Sequence, residues 1–350
     1  MTTTALGAPL STARPQHVPV AEQVRDGVVE SVHHGSLVAT DAAGRILFEA
    51  GDALALFYPR SSLKPLQAMA MLRAGLELSG PLLALAAASH SGAPRHRDGA
   101  RRILAGHGAD ETALENVPDL PYGPAERAAA LRAGEGPTRL AQNCSGKHAA
   151  MVATCRVNGW PVAGYTDPGH PLQLLIAEVV TELTGEPLGP GSTDGCGTPL
   201  HAVTLRGMAT AFARLASAAP GTPEAWVASA MTGHPEQVAG EGRDVTELMR
   251  GVPGLLAKDG FEGLQLVGLP DGRGLAVKIA DGADRARMPV TVQALQRLGV
   301  DPSALAGLDR VPVLGGGRTV GSLHAVALAA ARCPSAPRET APRPADPPSR

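Results

Sequence analysis

Ser61 and Lys64 stand three residues apart in the run Pro59-Arg60-Ser61-Ser62-Leu63-Lys64-Pro65. On a helix, that spacing brings both side chains to one face. A serine hydroxyl is a poor nucleophile until a base takes its proton. A lysine can be that base once burial or nearby positive charge lowers its pKa. A serine opening a helix also lies beside free amide N–H groups that can hold a developing oxyanion. A capping serine followed by a solvated lysine gives the same pattern, so spacing alone leaves both readings open. Two further short runs carry the same residue types: Ser89-His90-Ser91-Gly92 after a small-residue helix, and Lys258-Asp259-Gly260 at the end of an expected strand.

Of the 31 basic residues only four are lysines, Lys64, Lys147, Lys258 and Lys278. Arginine cannot give up its proton in practice, whereas a buried lysine can act as a base or a ligand. Lysines kept in a chain that otherwise uses arginine are therefore the first candidates for chemistry. Lys147 lies in Asn143-Cys144-Ser145-Gly146-Lys147-His148, one helical turn beyond Cys144, and a second thiol follows in Asp194-Gly195-Cys196-Gly197. Two thiols in glycine-containing turns are suited to a soft metal such as zinc. Lys147 could join them as a neutral amine once its proton is displaced, and His148 is an alternative ligand. Inert buried cysteines, a reducible disulfide and a nucleophilic Cys144 also fit. Cys155 and Cys333 are expected to play no part. His33, His34, His170 and His201 show no paired metal spacing, and Gly315-Gly316-Gly317 reads as a turn.

These residues need a scaffold. VVESVHHGSLVATD and RILFEAG flank a turn-prone AAG and predict a hairpin. LKPLQAMAMLRAGL predicts a helix capped by a serine, and further helices are expected over 80–88, 94–106, 124–133, 146–157, 170–184, 204–218 and 223–231. GLLAKDG predicts a strand, GLQLVGL and GLAVKIA a hairpin, MPVTVQALQRLG a helix and VGSLHAVAL a closing strand. Strands at both ends of a long helical middle predict an α+β domain. Its sheet is mostly antiparallel and assembled from both termini, with the helical region inserted. Residues 21–332 form one catalytic domain in this reading, between disordered tails over 1–20 and the proline-rich 333–350.

The 350 residues carry 31 Lys+Arg against 33 Asp+Glu and are 44% hydrophobic. That balance excludes a wholly disordered or fibrous chain and argues against nucleic acid as the main partner. No apolar run reaches the ~18 to 20 residues of a membrane helix, and the start has no secretory pattern. The expectation is a cytoplasmic enzyme.

Taken together, Pro59 to Pro65, Ser89-His90, Asn143 to His148, Asp194 to Gly197 and Lys258 to Gly260 resemble the asparaginase II family of rhizobial-type L-asparaginases. The order Ser-x-x-Lys, short serine loop, Lys-x-Gly strand is also that of the penicillin-recognising hydrolases. The resemblance runs from about residue 20 to 330. It implies a fold similar to serine β-lactamases and glutaminases, a homodimer, and hydrolysis of L-asparagine to L-aspartate and ammonia. It also implies catalytic pairs Ser61/Lys64 and Ser89/Lys258, and a zinc held by Cys144, Lys147 and Cys196. Arg60, His90, His148 and Asp194 are candidates for the substrate. A glutaminase, a penicillin-recognising hydrolase, a hydrolase using zinc-bound water and a non-catalytic zinc or amino-acid binder are the alternatives.

Overall fold

The structure, a computed structural model, describes residues 14–327. Three strands open the chain: β1 (Val18–Arg25), β2 (Val28–Asp41) and β3 (Ile46–Ala50), followed by the short β4 (Leu56–Phe57). Six helices follow: α1 (Lys64–Arg73), α2 (Gly80–Ala86), α3 (Pro94–Gly106), α4 (Pro124–Arg132), α5 (Ser145–Asn158) and α6 (Pro171–Thr184). Small strands β5 (Gly191–Thr193), β6 (Pro199–His201) and β7 (Val203–Thr204) lead into α7 (Leu205–Ala216), α8 (Pro223–Gly233), α9 (Pro235–Val238) and α10 (Asp244–Gly251). The chain then returns to the main sheet as β8 (Leu256–Gly260), β9 (Leu264–Gly268) and β10 (Arg273–Ile279). After α11 (Arg287–Arg297) come β11 (Arg310–Gly315) and β12 (Arg318–Ala325).

The main sheet has eight antiparallel strands in the order β11-β12-β1-β2-β10-β9-β8, with β3 also paired to β2. The expected α+β arrangement is thus present: the first and last strands lie side by side, Ala21 opposite Ala325, and helices α1 to α10 fill the stretch between β4 and β8. The sheet is held to α7 by close approach. A Cβ on Gly274 would lie 1.9 Å from the Ala209 carbonyl oxygen, and one on Gly268 2.2 Å from that of Phe212. Only glycine lets the backbones meet there. At the other end of the core, every residue of α1 from Lys64 to Leu72 is buried, as befits a helix surrounded by α2, α5, α6 and α8.

Two expectations need correction. Residues 1–13 and 333–350 lie outside the described residues, but Val18–Val20, assigned to the N-terminal tail, belong to β1. Pro19 lies within that strand. It sits at an irregularity in the β1–β2 ladder, where a missing N–H is tolerated. No serine caps α1 either: a 3-10 turn, Arg60–Leu63, runs directly into it, and Ser62 Oγ instead donates to the Pro59 carbonyl at 2.6 Å. The remaining helices and strands expected from the sequence are found with ends shifted by up to three residues. Strands β1 and β11, the short strands β4 to β7, and helices α9 and α10 were not foreseen.

Candidate active site

The turn that carries Ser61 is strained. Arg60 takes φ +50°, a left-handed conformation that costs a non-glycine residue about 1–2 kcal/mol. It is held by Nε donating to Asp194 Oδ1 at 2.5 Å and by its guanidinium lying 5.3 Å from the Phe261 ring centre. Ser61 itself is half-buried, while Ser62, Leu63 and Lys64 are buried. The Lys64 backbone N–H donates to the Ser61 carbonyl, but among the described residues no hydrogen bond joins their side chains. Lys64 Nζ instead donates to the Ala88 carbonyl at 2.7 Å and to Ser89 Oγ at 2.9 Å.

Ser89 follows α2 in a loop clamped from two sides. Its N–H donates to Val238 O, that of Ser91 to Ala239 O, and that of His90 to Asn143 O. Lys258 reaches the same hydroxyl from β8, the edge strand of the main sheet: Nζ donates to Ser89 Oγ at 2.9 Å and to the Asp259 carbonyl at 2.8 Å, and it pairs with Asp259 Oδ1. A hydroxyl has one proton to give. Between two ammonium groups it accepts from both and has no acceptor for its own proton; between an ammonium and a neutral amine it accepts from one and donates to the other. The cluster is therefore best satisfied when one of the two lysines is neutral. Burial, opposed by Asp259 and assisted by the charges of Lys64 and Arg243, pulls Lys258 down to about 8. Arg243, which lies before α10, donates to the Ser89 carbonyl at 2.6 Å and to Asp259 Oδ2 at 2.6 Å. Asp259 stays ionised despite burial because Lys258, Arg243 and Arg287 surround it.

The second cluster lies at the start of α5. Cys144 is its N-cap residue and Lys147 follows one turn later. Cys196 enters from the tight turn Asp194–Thr198, closed by Asp194 N to Thr198 O. Lys147 Nζ donates to Cys196 Sγ at 3.1 Å and Thr198 Oγ1 at 3.0 Å. Donation from the Cys144 thiol and the charge of Lys147 hold Cys196 well below the usual thiol value, against the effect of burial. As the donor in that pair, and buried, Cys144 is held well above it. Cys144 Sγ also lies 3.1 Å from Asn143 Oδ1. The Arg60–Asp194 pair ties this turn to the Ser61 turn.

His148 and His90, expected near a substrate, are both fully buried. His148 Nδ1 meets Tyr165 Oη at 2.7 Å, its Nε2 has no hydrogen-bond partner, and burial with the Lys147 charge lowers it to about 4. His90 Nε2 meets Ser145 Oγ at 2.9 Å and its ring stacks on His96, so it braces the Ser89 loop against α5. Cys155 is buried in α5 with its pKa raised to about 11. Cys333 lies outside the described residues. Among the described residues no group of three or more His, Cys, Asp or Glu is placed to hold a metal; the thiol cluster offers two cysteines, and its third donor is a lysine. Sequence reasoning did not single out Arg243, Thr198 or Tyr165. The arginine-rich composition that made lysines conspicuous concealed Arg243.

A serine hydroxyl shared by two buried lysines, beside a strained serine-bearing turn, is the equipment of a hydrolase. The chain belongs to the L-asparaginase II family, whose model matches residues 21–325, a family of asparaginase-like amidohydrolases. No curated protein matches the chain in sequence. Among solved structures it is similar to Mglu in its native form, with 19% identity and a TM-score of 0.41 over 76% of this chain and 64% of that one. It is also similar to a β-lactamase from Mycobacterium bovis, with 16% identity and a TM-score of 0.37 over 71% and 88%. The aligned part thus spans just under two thirds of the length of Mglu.

Proposed function

We propose that the chain is an L-asparaginase that hydrolyses L-asparagine to L-aspartate and ammonia through Ser61. The observation that carries this reading is the Ser89 hydroxyl held 2.9 Å from both Lys64 and Lys258, one turn of chain from a half-buried serine in a family of amidohydrolases. Ser61 Oγ attacks the side-chain amide carbon and its proton passes to Lys64 as Lys64 hands one of its own through Ser89 to the neutral Lys258. Ser89 can relay a proton between Lys64 and Lys258, so the excess proton is shared over two amines until the departing nitrogen takes it and leaves as ammonia. Water then attacks the acyl-enzyme by the same route in reverse. Ser61 is preferred to Ser89 as nucleophile because Ser89 is 3% exposed and already engaged by both lysines.

The half-buried Arg60 and Asp194, an ion pair at the mouth of the Ser61 turn, are suited to the charged α-carboxylate and α-amino groups of the substrate. Cys144, Cys196 and Lys147 are a sulfur-rich donor set that fits zinc, and the unpartnered Nε2 of His148 is a further donor nearby. Such an ion would supply a fixed positive charge for binding. The test is ammonia release by purified protein from asparagine, with glutamine and a chromogenic cephalosporin in parallel. Wild-type turnover of asparagine, lost by at least about 10³-fold in Ser61→Ala, supports the reading; full activity in that variant rejects it. Ser89→Ala should retain a residual rate, since it removes the relay and leaves the nucleophile.

A further inference from the structure

Among the described residues, Arg243 is the one charged side chain that hydrogen-bonds both Ser89 and Asp259, the partners of Lys258. One arm of its fork reaches the carbonyl of Ser89 and the other takes Asp259 Oδ2, while Lys258 has the opposite oxygen, Oδ1. The guanidinium also lies 4.9 Å from the Tyr122 ring centre, so it is fixed on a third side. One carboxylate thus serves two cations within a buried site.

The other groups around Lys258 do not restore the balance. Lys64, from α1, adds a like charge through Ser89. β9 contributes no charged residue, and the only one on α8, Glu224, pairs with Arg73. On α10, Asp244 pairs with Arg287 and Glu247 with Arg250. Arg287, from α11, is another cation facing Asp259, and Arg60 is turned toward Asp194.

We infer that Arg243 is a positioning residue for the amine pair: by occupying half of the Asp259 carboxylate it leaves Lys258 short of counter-charge, and so makes Lys258 the lysine that is neutral at working pH. This rests on the reading that the two lysines share a proton through Ser89. With Arg243 neutralised, Asp259 would have one cation fewer to serve and would favour the ammonium form of Lys258. Two ammonium groups would then face Ser89, and the pair would lose its acceptor. A bulky arginine that merely filled space would have no such effect on ionisation.

The chain has only four lysines, so the lysine ¹³Cε signals can be assigned by single Lys→Arg replacements and titrated directly. In Arg243→Gln the Lys258 midpoint should rise by about one pH unit, and Arg243→Lys, which keeps the charge, should restore it to near the wild-type value. The ascending limb of kcat/KM for asparagine should move with it. Arg243→Met, which keeps the apolar stem against Tyr122, carries the same expectation if the Gln protein fails to fold. An unchanged or lowered Lys258 midpoint in the folded Gln or Met variant overturns the inference. So does a midpoint in Arg243→Lys as high as in Arg243→Gln. The NMR titration needs no turnover: a midpoint that shifts as expected in a protein inactive on asparagine would leave this inference standing and reject the substrate.

Discussion

Lys258 and Lys147 are buried to the same degree, 0% and 1% exposed, yet their surroundings drive them in opposite directions. Burial disfavours the charged form of both. Around Lys258 the single carboxylate of Asp259 is outweighed by burial together with the charges of Lys64 and Arg243, and the amine falls to about 8. Around Lys147 burial is overcome by Cys196, Cys144 and Asp194, and the amine is raised. The depth of burial sets how much is at stake, and the tally of neighbouring charges sets the sign. One region thereby prepares a lysine to exchange protons, and the other holds a lysine as the cationic partner of a thiolate, to be discharged only by a competing cation.

Exchanging each lysine for a residue that cannot lose its proton tests the contrast most severely. Lys258→Arg should lower kcat by about 10²- to 10³-fold, because the relay then ends at a permanent cation. Lys147→Arg should lower kcat by less than about tenfold while raising KM and reducing the zinc content read by elemental analysis. Equal losses of kcat in the two variants would erase the distinction. Next in size is the pH dependence. Activity should climb as pH passes through about 8, where Lys258 becomes neutral, and a profile already flat at pH 6 would place the working base elsewhere. Stability has its own sign. The folded-state value lies below the usual 10.5, so the penalty for burying a charged Lys258 is complete below about pH 8. It fades as pH rises toward the unfolded value. The smallest expected effect is at the border of the thiol cluster. Tyr165→Phe leaves His148 Nδ1 and the Glu115 N–H without their shared partner. It should cost about 1–3 kcal/mol, read as a lower Tm, with kcat near the wild-type value.

Much of this was legible before any coordinates. Glycine, proline and period-2 hydrophobicity marked the β2–β3 and β9–β10 hairpins, and small-residue helical runs marked α2 and α5. Lysine scarcity pointed to Lys64, Lys147 and Lys258, all of which prove buried. The fourth, Lys278, is half-buried and bonds only backbone carbonyls, those of Glu262 and Ile279. Two-residue strands such as β4 and β7 escaped because so short a segment has no period to read. Arg243 escaped because one arginine among 27 (31 basic residues less four lysines) carries no local mark.

The amino-acid order alone determined which segments coil or extend, and which scarce side chains had to be accounted for, since both follow from local sterics and composition. It did not determine whom Lys64 would meet. Sequence spacing paired it with Ser61, three residues away, whereas the folded chain gives its hydrogen bond to Ser89, 25 positions on, and brings Lys258 to that same oxygen across 169 positions. Short-range rules describe one turn of helix. Where a long, flexible amine finally rests is settled by the helices and edge strand that close over it, and by the carboxylate and guanidinium they carry in with them.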